Sequence, residues 1–281
     1  MHDPAAGYPG CLFVHLHVPA DACDLQNRRS AYIFPQPGAA IMDIRGLTKF
    51  SLIDFPGKLS CILYAGGCNF RCPYCHNPHL VIDPDSQPQL SDNFIFSFLK
   101  KRMGKLEGVV ISGGEPSLYS ALSSFTEKIK SLGYLIKLDT NGSNPDVIIS
   151  IHKNKCLDAL GLDYKAPASS YMGLTGSRIE DIAERVQRTI SYAIEEKIPV
   201  DVRTTVHRRF HTPEILSLMR EELNAIGVPA WTLQQFHPTE IIDNTLSNEP
   251  TYSDAELIGI AKDIGCHTRV RGLKGSFIFN A

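Results

Sequence analysis

From residue 59 onward the sequence alternates between short β-rich runs and longer amphipathic stretches, and this alternation constrains the fold more than any other feature. Strand, helix and strand repeated at this spacing predict parallel βαβ units. The predicted strands span 61–64, 108–112, 135–139, 159–163, 200–206, 231–236 and 267–270. The predicted helices span 92–103, 117–132, 145–152, 178–196, 213–226 and 254–264.

Six or so such units form either a doubly wound open sheet or a complete or partial barrel. In both architectures the functional groups gather at the carboxyl ends of the strands. A functional motif should therefore come directly after a predicted strand. The helix from Arg178 is the clearest, because its apolar residues repeat every 3.6 positions. Thr212, followed by Pro213, is a suitable N-cap for the next helix.

Residues 1–41 differ from the rest, with five prolines and no sustained helical or strand period. We expect a disordered N-terminal extension, with a short accessory strand at 32–34 as the alternative. The natural start of the protein is then Met42, and residues 42–281 form one domain. The apolar stretch 10–20 is interrupted by His15 and His17 and lacks a basic start, which argues against a secretory signal.

The composition excludes several function classes. The formal net charge is −2 and 43% of the residues are hydrophobic, so neither a nucleic-acid surface nor a membrane-binding surface is indicated. No apolar run approaches the ~20 residues of a membrane-spanning helix. Clustered cysteines in such a chain favour metal ligation in the cytoplasm over disulfides.

Three cysteines, Cys68, Cys72 and Cys75, follow the first predicted strand with the spacing C-x3-C-x2-C. Thiolates suit iron–sulfur clusters and zinc. A cluster of four irons held by three cysteines keeps one iron open to a small molecule. The alternatives are a Cys3His zinc site that includes His76, or buried thiols without a metal. Cys61, Cys156 and Cys266 are isolated and are predicted to be core thiols.

The segment C-x3-C-x-aromatic-C, with Tyr74 as the aromatic residue, resembles the signature of the radical S-adenosylmethionine (SAM) superfamily. More narrowly, residues 46–77 resemble the activating proteins of anaerobic ribonucleotide reductase. The resemblance implies an α/β fold, a partial parallel (βα)6-type barrel, and it covers the chain from about Asp43 to the C-terminus. It also implies a 4Fe-4S cluster on the three cysteines, with SAM bound at the open iron and Tyr74 beside it.

The sequence Ser-Gly-Gly-Glu-Pro at 112–116 ends the second predicted strand. Glycines let the backbone approach a ligand closely, and a glutamate accepts hydrogen bonds from an ammonium group. The segment is similar to the GGEP motif of the family. By that resemblance Gly113, Gly114 and Glu115 bind the amino group of SAM. The alternative is an ordinary turn.

Two further segments end predicted strands, Asp-Thr-Asn-Gly at 139–142 and Asp-Tyr-Lys at 163–165. Matching segments of related glycyl radical activating enzymes hold a monovalent cation and the SAM carboxylate. The resemblance thus implies Asp139, Thr140 and Asp163 as cation ligands and Lys165 as the carboxylate partner. The alternatives are a turn at the first segment and a solvated ion pair at the second.

Arg203 and His237 complete the predicted site. Arg203 lies in a strand whose alternate residues face the barrel interior, where a guanidinium needs an anion such as the SAM carboxylate. His237 follows the sixth predicted strand and resembles a family histidine that binds the SAM ribose. A lone histidine is otherwise a structural residue as often as a functional one.

The resemblance implies an activase: the reduced cluster cleaves SAM, and the resulting radical takes hydrogen from a glycine of anaerobic ribonucleotide reductase. A one-electron reductant such as flavodoxin is then required. A second enzyme class is a small-molecule radical SAM enzyme, for example of 7-deazaguanine biosynthesis. A third possibility is a non-catalytic zinc or electron-transfer module, which predicts no SAM cleavage.

Overall fold

The computed structural model describes residues 41–237, 239–265, 268–272 and 275–278. The expected extension, apart from residue 41, and the predicted core thiol Cys266 lie outside the described residues.

The described chain is built around one sheet of nine strands whose spatial order is the order of the sequence. The seven central strands, β2 to β8, are parallel, whereas β1 and β9 pair antiparallel at the two edges. No pairing among the described residues joins the two edges, so the sheet is an open, partial barrel. The strands are β1 Ile44–Ser51, β2 Ser60–Ala65, β3 Gly108–Gly113, β4 Leu135–Thr140, β5 Ala159–Asp163, β6 Val200–Val206, β7 Trp231–Gln235, β8 Thr268–Gly272 and β9 Gly275–Ile278.

Helices connect the parallel strands. All six predicted helices are present, and two short ones follow the cysteine loop and β5. The helices are α1 Pro78–Ile82, α2 Asp92–Arg102, α3 Leu122–Ser131, α4 Pro145–Lys153, α5 Tyr171–Thr175, α6 Ile182–Glu195, α7 Pro213–Ala225 and α8 Asp254–Asp263. None of the helices in the described part of the chain is long and apolar enough to cross a membrane.

All seven predicted strands are confirmed as the parallel strands, but both edge strands were missed. The burial of β1 does not alternate, and its partly exposed residues give no period of two. Two helices also begin later than predicted. α3 starts at Leu122 because Pro116–Leu118 forms a separate 3-10 helix. The side chain of Glu115 caps this short helix. α6 starts at Ile182 because the chain leaves the left-handed Gly176 as irregular structure over 177–179, followed by a turn at 180–181.

Two apolar cores lie between the sheet and the helices. The first packs β1–β4 against α2, α3 and α4, and the second packs β5–β8 against α6, α7 and α8. Each fully buried aliphatic side chain in these cores contributes roughly 1.5–3 kcal/mol to folding. Alternate residues of β4, β5 and β6 face the other way, into the barrel. At the amino ends of β4 and β5 these residues are the apolar Leu135 and Ala159. The remaining ones are polar or lack a side chain: Lys137, Asp139, Gly161, Asp163, Asp201, Arg203 and Thr205.

Candidate functional site

A cavity of about 160 Å³ lies inside the barrel at the carboxyl ends of β2 to β6. It is the place where parallel-sheet enzymes gather their functional groups. The structure brings most of the predicted site residues to this one cavity. The lining includes Cys68, Cys72, Tyr74, Cys75, Gly113, Gly114, Asp139, Thr140, Asp163, Lys165 and Arg203.

The three clustered cysteines lie in the loop after β2 and face the cavity. Burial raises the pKa of Cys72 to about 12 and also raises the pKa of Cys68 and of Cys75. Without a positive partner these groups are therefore neutral thiols at pH 7. A bound metal supplies the charge that makes them thiolates.

The cysteine loop is not built for a single ion. No three His, Cys, Asp or Glu side chains within the described residues are grouped to bind one metal ion. A cluster needs no such grouping, because each thiolate binds a different iron. His76 is also engaged elsewhere: its Nε2 is 3.0 Å from the carbonyl oxygen of His237, and its ring stacks on Phe236. Both observations disfavour the Cys3His zinc site.

Gly113 ends β3 and Gly114 follows it, and both lie directly against the segment that leads into the cysteine loop. The backbone N–H of Gly114 donates to the carbonyl of Ala65 at 2.8 Å, and that of Glu115 donates to Gly67 at 2.9 Å. A Cβ at Gly114 would lie 1.9 Å from the carbonyl oxygen of Gly67. Gly113 has φ +110°, a backbone conformation that favours glycine. The glycines therefore serve close backbone packing as well as access to the cavity.

Glu115 differs from the sequence expectation. Its carboxylate is fully buried and accepts hydrogen bonds from the backbone N–H of Ser117 (3.0 Å), the hydroxyl of Thr140 (2.8 Å) and the backbone N–H of Asn141 (2.6 Å). It is not among the residues that line the cavity. The side chain joins the loop after β3 to the loop after β4, and Gly113 and Gly114 are what the motif presents to a ligand.

Four charged residues line one wall of the cavity and are linked to each other. Arg203 lies between two carboxylates, with its NH2 nitrogen (Nη2) 3.2 Å from Asp139 and its Nε 2.6 Å from Asp163. Lys165 contacts Asp163 at 3.2 Å. Burial alone would raise the pKa of Asp163, but the charges of Lys165 and Arg203 outweigh burial and hold the pKa well below its usual range. This carboxylate stays ionised at any physiological pH.

The three residues expected to bind a monovalent cation, Asp139, Thr140 and Asp163, all line the cavity, and each has a protein partner there. The hydroxyl of Thr140 donates to Glu115, and Asp163 is paired with Lys165 and Arg203. Asp139 contacts Arg203 and also Nζ of Lys137, a buried residue on the same strand. Protein cations thus hold both carboxylates that were expected to bind the ion.

Two buried polar atoms near the cavity lack a hydrogen-bond partner among the described residues: the hydroxyl of Tyr74 and Nδ1 of His237. Tyr74 lines the cavity, as expected. His237 does not; its carbonyl contacts His76, which does line the cavity. A buried hydroxyl left unpaired costs about 1–3 kcal/mol. The Tyr74 hydroxyl is therefore available to a ligand in the cavity.

Several site residues were missed at the sequence level. The amide of Asn141 donates to Asn69 at 2.8 Å and lies 3.9 Å from the sulfur of Cys68, and Asn69 donates to Ser143 at 2.9 Å. Lys137 was not singled out either. A signal was present, since Lys-x-Asp in a strand places both charges on one face.

His211 does not line the cavity but contacts the backbone of Lys165, which does. Its Nδ1 accepts the backbone N–H of His207 (3.1 Å), so Nε2 carries the proton and donates to the carbonyl of Lys165 (2.9 Å). Burial lowers the pKa of His211 from 6.5 to about 4. The folded state therefore binds fewer protons than the unfolded chain between these pH values, and stability falls as the pH falls.

We expect the free energy of unfolding to drop by about 3 kcal/mol between pH 6.5 and pH 4 because of His211. Urea unfolding of cluster-free protein across this range measures the drop. In a His211→Gln variant the drop should shrink without vanishing, because burial also lowers the pKa of His76 and His207. An equal drop in both proteins would contradict the assignment.

Comparison with known proteins agrees with this geometry. A family model described as the radical SAM superfamily matches residues 62–220, more than half of the chain. The chain belongs to the radical SAM superfamily. The matched region contains the cysteine loop and every charged residue of the cavity wall. Membership implies a 4Fe-4S cluster and SAM as cofactors.

Relatives of this radical SAM protein include two kinds of enzyme. A protein of Methanocaldococcus jannaschii named "putative glycyl-radical enzyme activating enzyme" is 28% identical over 245 residues, which cover 83% of this chain and 98% of the relative. The 7-carboxy-7-deazaguanine synthase of Aquifex aeolicus is 34% identical over 87 residues, covering 31% of this chain and 38% of the relative.

Solved structures confirm the fold. The structure of TYW1 with a lysine-pyruvate adduct bound has a TM-score of 0.54, with 18% identity and 79% of each chain covered. Streptococcus suis SuiB bound to precursor peptide SuiA has a TM-score of 0.56 and 12% identity, covering 75% of this chain and 48% of SuiB. At these identities the likeness shows the shared partial barrel.

The residues of the cavity fit both cofactors that the family implies. Three thiols, of which Cys68 and Cys72 are buried and Cys75 is partly exposed, line the cavity without being grouped around one ion. Two cations, Lys165 and Arg203, line the same cavity and match a ligand carboxylate. The unpaired hydroxyl of Tyr74 offers a further polar contact.

Proposed function

We propose that this protein activates a glycyl radical enzyme, with anaerobic ribonucleotide reductase as the partner. When bound, the reduced cluster and SAM supply a 5′-deoxyadenosyl radical, which takes a hydrogen atom from a glycine Cα of the partner. The role of the protein is to hold the two cofactors together and to keep water from the radical.

Each wall of the cavity has a part in this proposal. Cys68, Cys72 and Cys75 hold three irons of the cluster. The backbone of Gly113 and Gly114 faces the amino group of SAM. Lys165 and Arg203 attract its carboxylate, and both are fixed in place by Asp163. Tyr74 borders the nucleoside. His237, the proposed ribose contact, lies outside the cavity lining with its carbonyl against His76.

The extent of the alignment with the Methanocaldococcus relative carries the proposal. That alignment spans nearly the whole relative, whereas the Aquifex synthase is matched over little more than a third of its length. A second relative from Methanocaldococcus jannaschii with the same description is 27% identical and 69% covered. Full-length similarity supports a shared task better than similarity around the cofactors, because any radical SAM enzyme shares the cofactor motifs.

The test uses anaerobically reconstituted protein with SAM, dithionite and purified anaerobic ribonucleotide reductase. We expect a doublet in the electron paramagnetic resonance spectrum of the reductase and about one 5′-deoxyadenosine for each glycyl radical, because each radical needs one hydrogen transfer. Flavodoxin, reduced by flavodoxin reductase, should serve as electron donor in place of dithionite. The control is a reductase whose radical-bearing glycine is changed to alanine, which should give no doublet. SAM cleavage without a doublet on the intact reductase would refute this choice of partner.

A second candidate is a synthase of the 7-carboxy-7-deazaguanine type. The observation in its favour is the local identity of 34%, higher than that of the full-length relative. It predicts formation of 7-carboxy-7-deazaguanine from a small-molecule substrate with no protein partner. Mass spectrometry of such a reaction mixture separates the two candidates, since the activase yields no new small product besides methionine and 5′-deoxyadenosine.

A further inference from the structure

Lys137 is a buried lysine that the proposed chemistry leaves without a task. It lies on β4, two residues before Asp139, and its side chain is 3% exposed. Its Nζ contacts Oδ1 of Asp139. Placing a charged ammonium inside a protein costs several kcal/mol unless it is well paired. The burial of this lysine therefore needs a physical explanation.

The neighbouring strand leaves room for this ion pair. Gly161 on β5 lies opposite Asp139 in the sheet. A Cβ at Gly161 would lie 2.3 Å from Oδ1 of Asp139, 2.9 Å from Nζ of Lys137 and 3.0 Å from the NH1 nitrogen (Nη1) of Arg203. A side chain at Gly161 would push against all three charged groups, so the glycine leaves room for the ammonium and the carboxylate.

The charge balance of the cavity wall depends on Lys137. The wall contains Arg203 and Lys165 as cations and Asp139 and Asp163 as anions, which sum to zero. Lys137 adds one positive charge through its contact with Asp139. These five side chains, three cations and two carboxylates, thus present a net charge of +1 to a ligand carboxylate. Salt screens this charge only weakly, because the site is buried.

We propose that Lys137 is a built-in counter-cation: its ammonium takes the place beside Asp139 that a Na⁺ or K⁺ ion would otherwise fill, and SAM binding is therefore independent of monovalent metal ions. Lys137 is a positioning residue, since it acts on the ligand through Asp139 and Arg203. The inference rests on the proposed SAM site and concerns its cation requirement.

The test measures the SAM dissociation constant of the reconstituted enzyme in choline, sodium and potassium buffers of equal ionic strength. For the unchanged protein we expect the same value in all three within about twofold. For Lys137→Met we expect binding at least about 10-fold weaker in choline, because the wall loses its net positive charge. Sodium or potassium should restore much of that loss.

Two further variants sharpen the result. Lys137→Gln keeps a hydrogen-bond donor for Asp139 without the charge, so it guards against a failure to fold and should show the same recovery by metal ions. Lys130→Met removes a lysine that is only partly buried, is paired with Asp158 at 2.9 Å and does not line the cavity. It should bind SAM normally in every buffer. A purely structural role for Lys137 predicts weak binding that no ion restores.

The inference is overturned if the unchanged protein needs sodium or potassium to bind SAM, or if neither Lys137 variant responds to these ions. Its failure is distinct from failure of the proposed function. If SAM binding shows the expected dependence on ions but no glycyl radical forms, only the choice of partner is refuted. If the unchanged protein does not bind SAM, the site itself is refuted.

Discussion

Cys72→Ala should yield a protein that folds but neither holds a 4Fe-4S cluster nor cleaves SAM. The thiol of Cys72 is buried and lines the cavity, and alanine offers no ligand in its place. Disturbing only the outer partners of metal ligands costs 10–100-fold in activity, so loss of a ligand should exceed about 100-fold. Iron and sulfide analysis and release of 5′-deoxyadenosine under anaerobic reduction measure the two effects.

Cys156→Ala is the matched control. Cys156 is also a buried free cysteine, but its sulfur donates to the carbonyl of Asn154 (3.3 Å) in the loop after α4, away from the cavity lining. This variant should keep the iron content and activity of the unchanged protein. Full activity in Cys72→Ala, or equal losses in both variants, would show that the cluster has other ligands.

Gly114→Ala should be among the most destabilising single substitutions in the chain. The new Cβ would lie 1.9 Å from the carbonyl oxygen of Gly67, a distance that no adjustment of a side chain can relieve. The loop after β3 must then move away from the cysteine loop and lose the hydrogen bond between Gly114 and Ala65. We expect the free energy of unfolding to fall by about 3 kcal/mol or more, as measured in urea.

Gly259→Ala tests the same substitution where space is free. Gly259 lies within α8, and a Cβ there would meet nothing within 4 Å. Alanine favours a helix interior over glycine by roughly 0.5–1 kcal/mol, so this variant should be slightly more stable than the unchanged protein. If Gly114→Ala were as stable as Gly259→Ala, the close packing of the two loops would be refuted.

The strands, the helices and the location of the cavity were predictable because each depends on local pattern. Apolar periodicity gave the parallel strands and the six longer helices. The rule that functional groups follow parallel strands then placed the cysteine loop and three downstream motifs at one edge of the sheet. The resemblance to a known family added the cofactors, which no periodicity indicates.

The remaining features depend on contacts between segments far apart in the sequence. The role of Glu115 is set by Thr140 and Asn141, which belong to the next βα unit. The partners of Arg203 come from two other strands, so its local pattern could not reveal that they are aspartates. β1 was missed because an edge strand with partly exposed residues lacks a clear alternation.

The order of the strands has a consequence for biosynthesis. Since each strand pairs with the one made just before it, the sheet can grow one unit at a time as the chain leaves the ribosome. The cysteine loop emerges early, yet Asn141, which lies beside Cys68, and Arg203, which lines the same cavity, are synthesised much later. Iron delivered to a nascent chain would thus meet exposed thiols without their enclosure, and insertion of the cluster belongs after translation has passed β6.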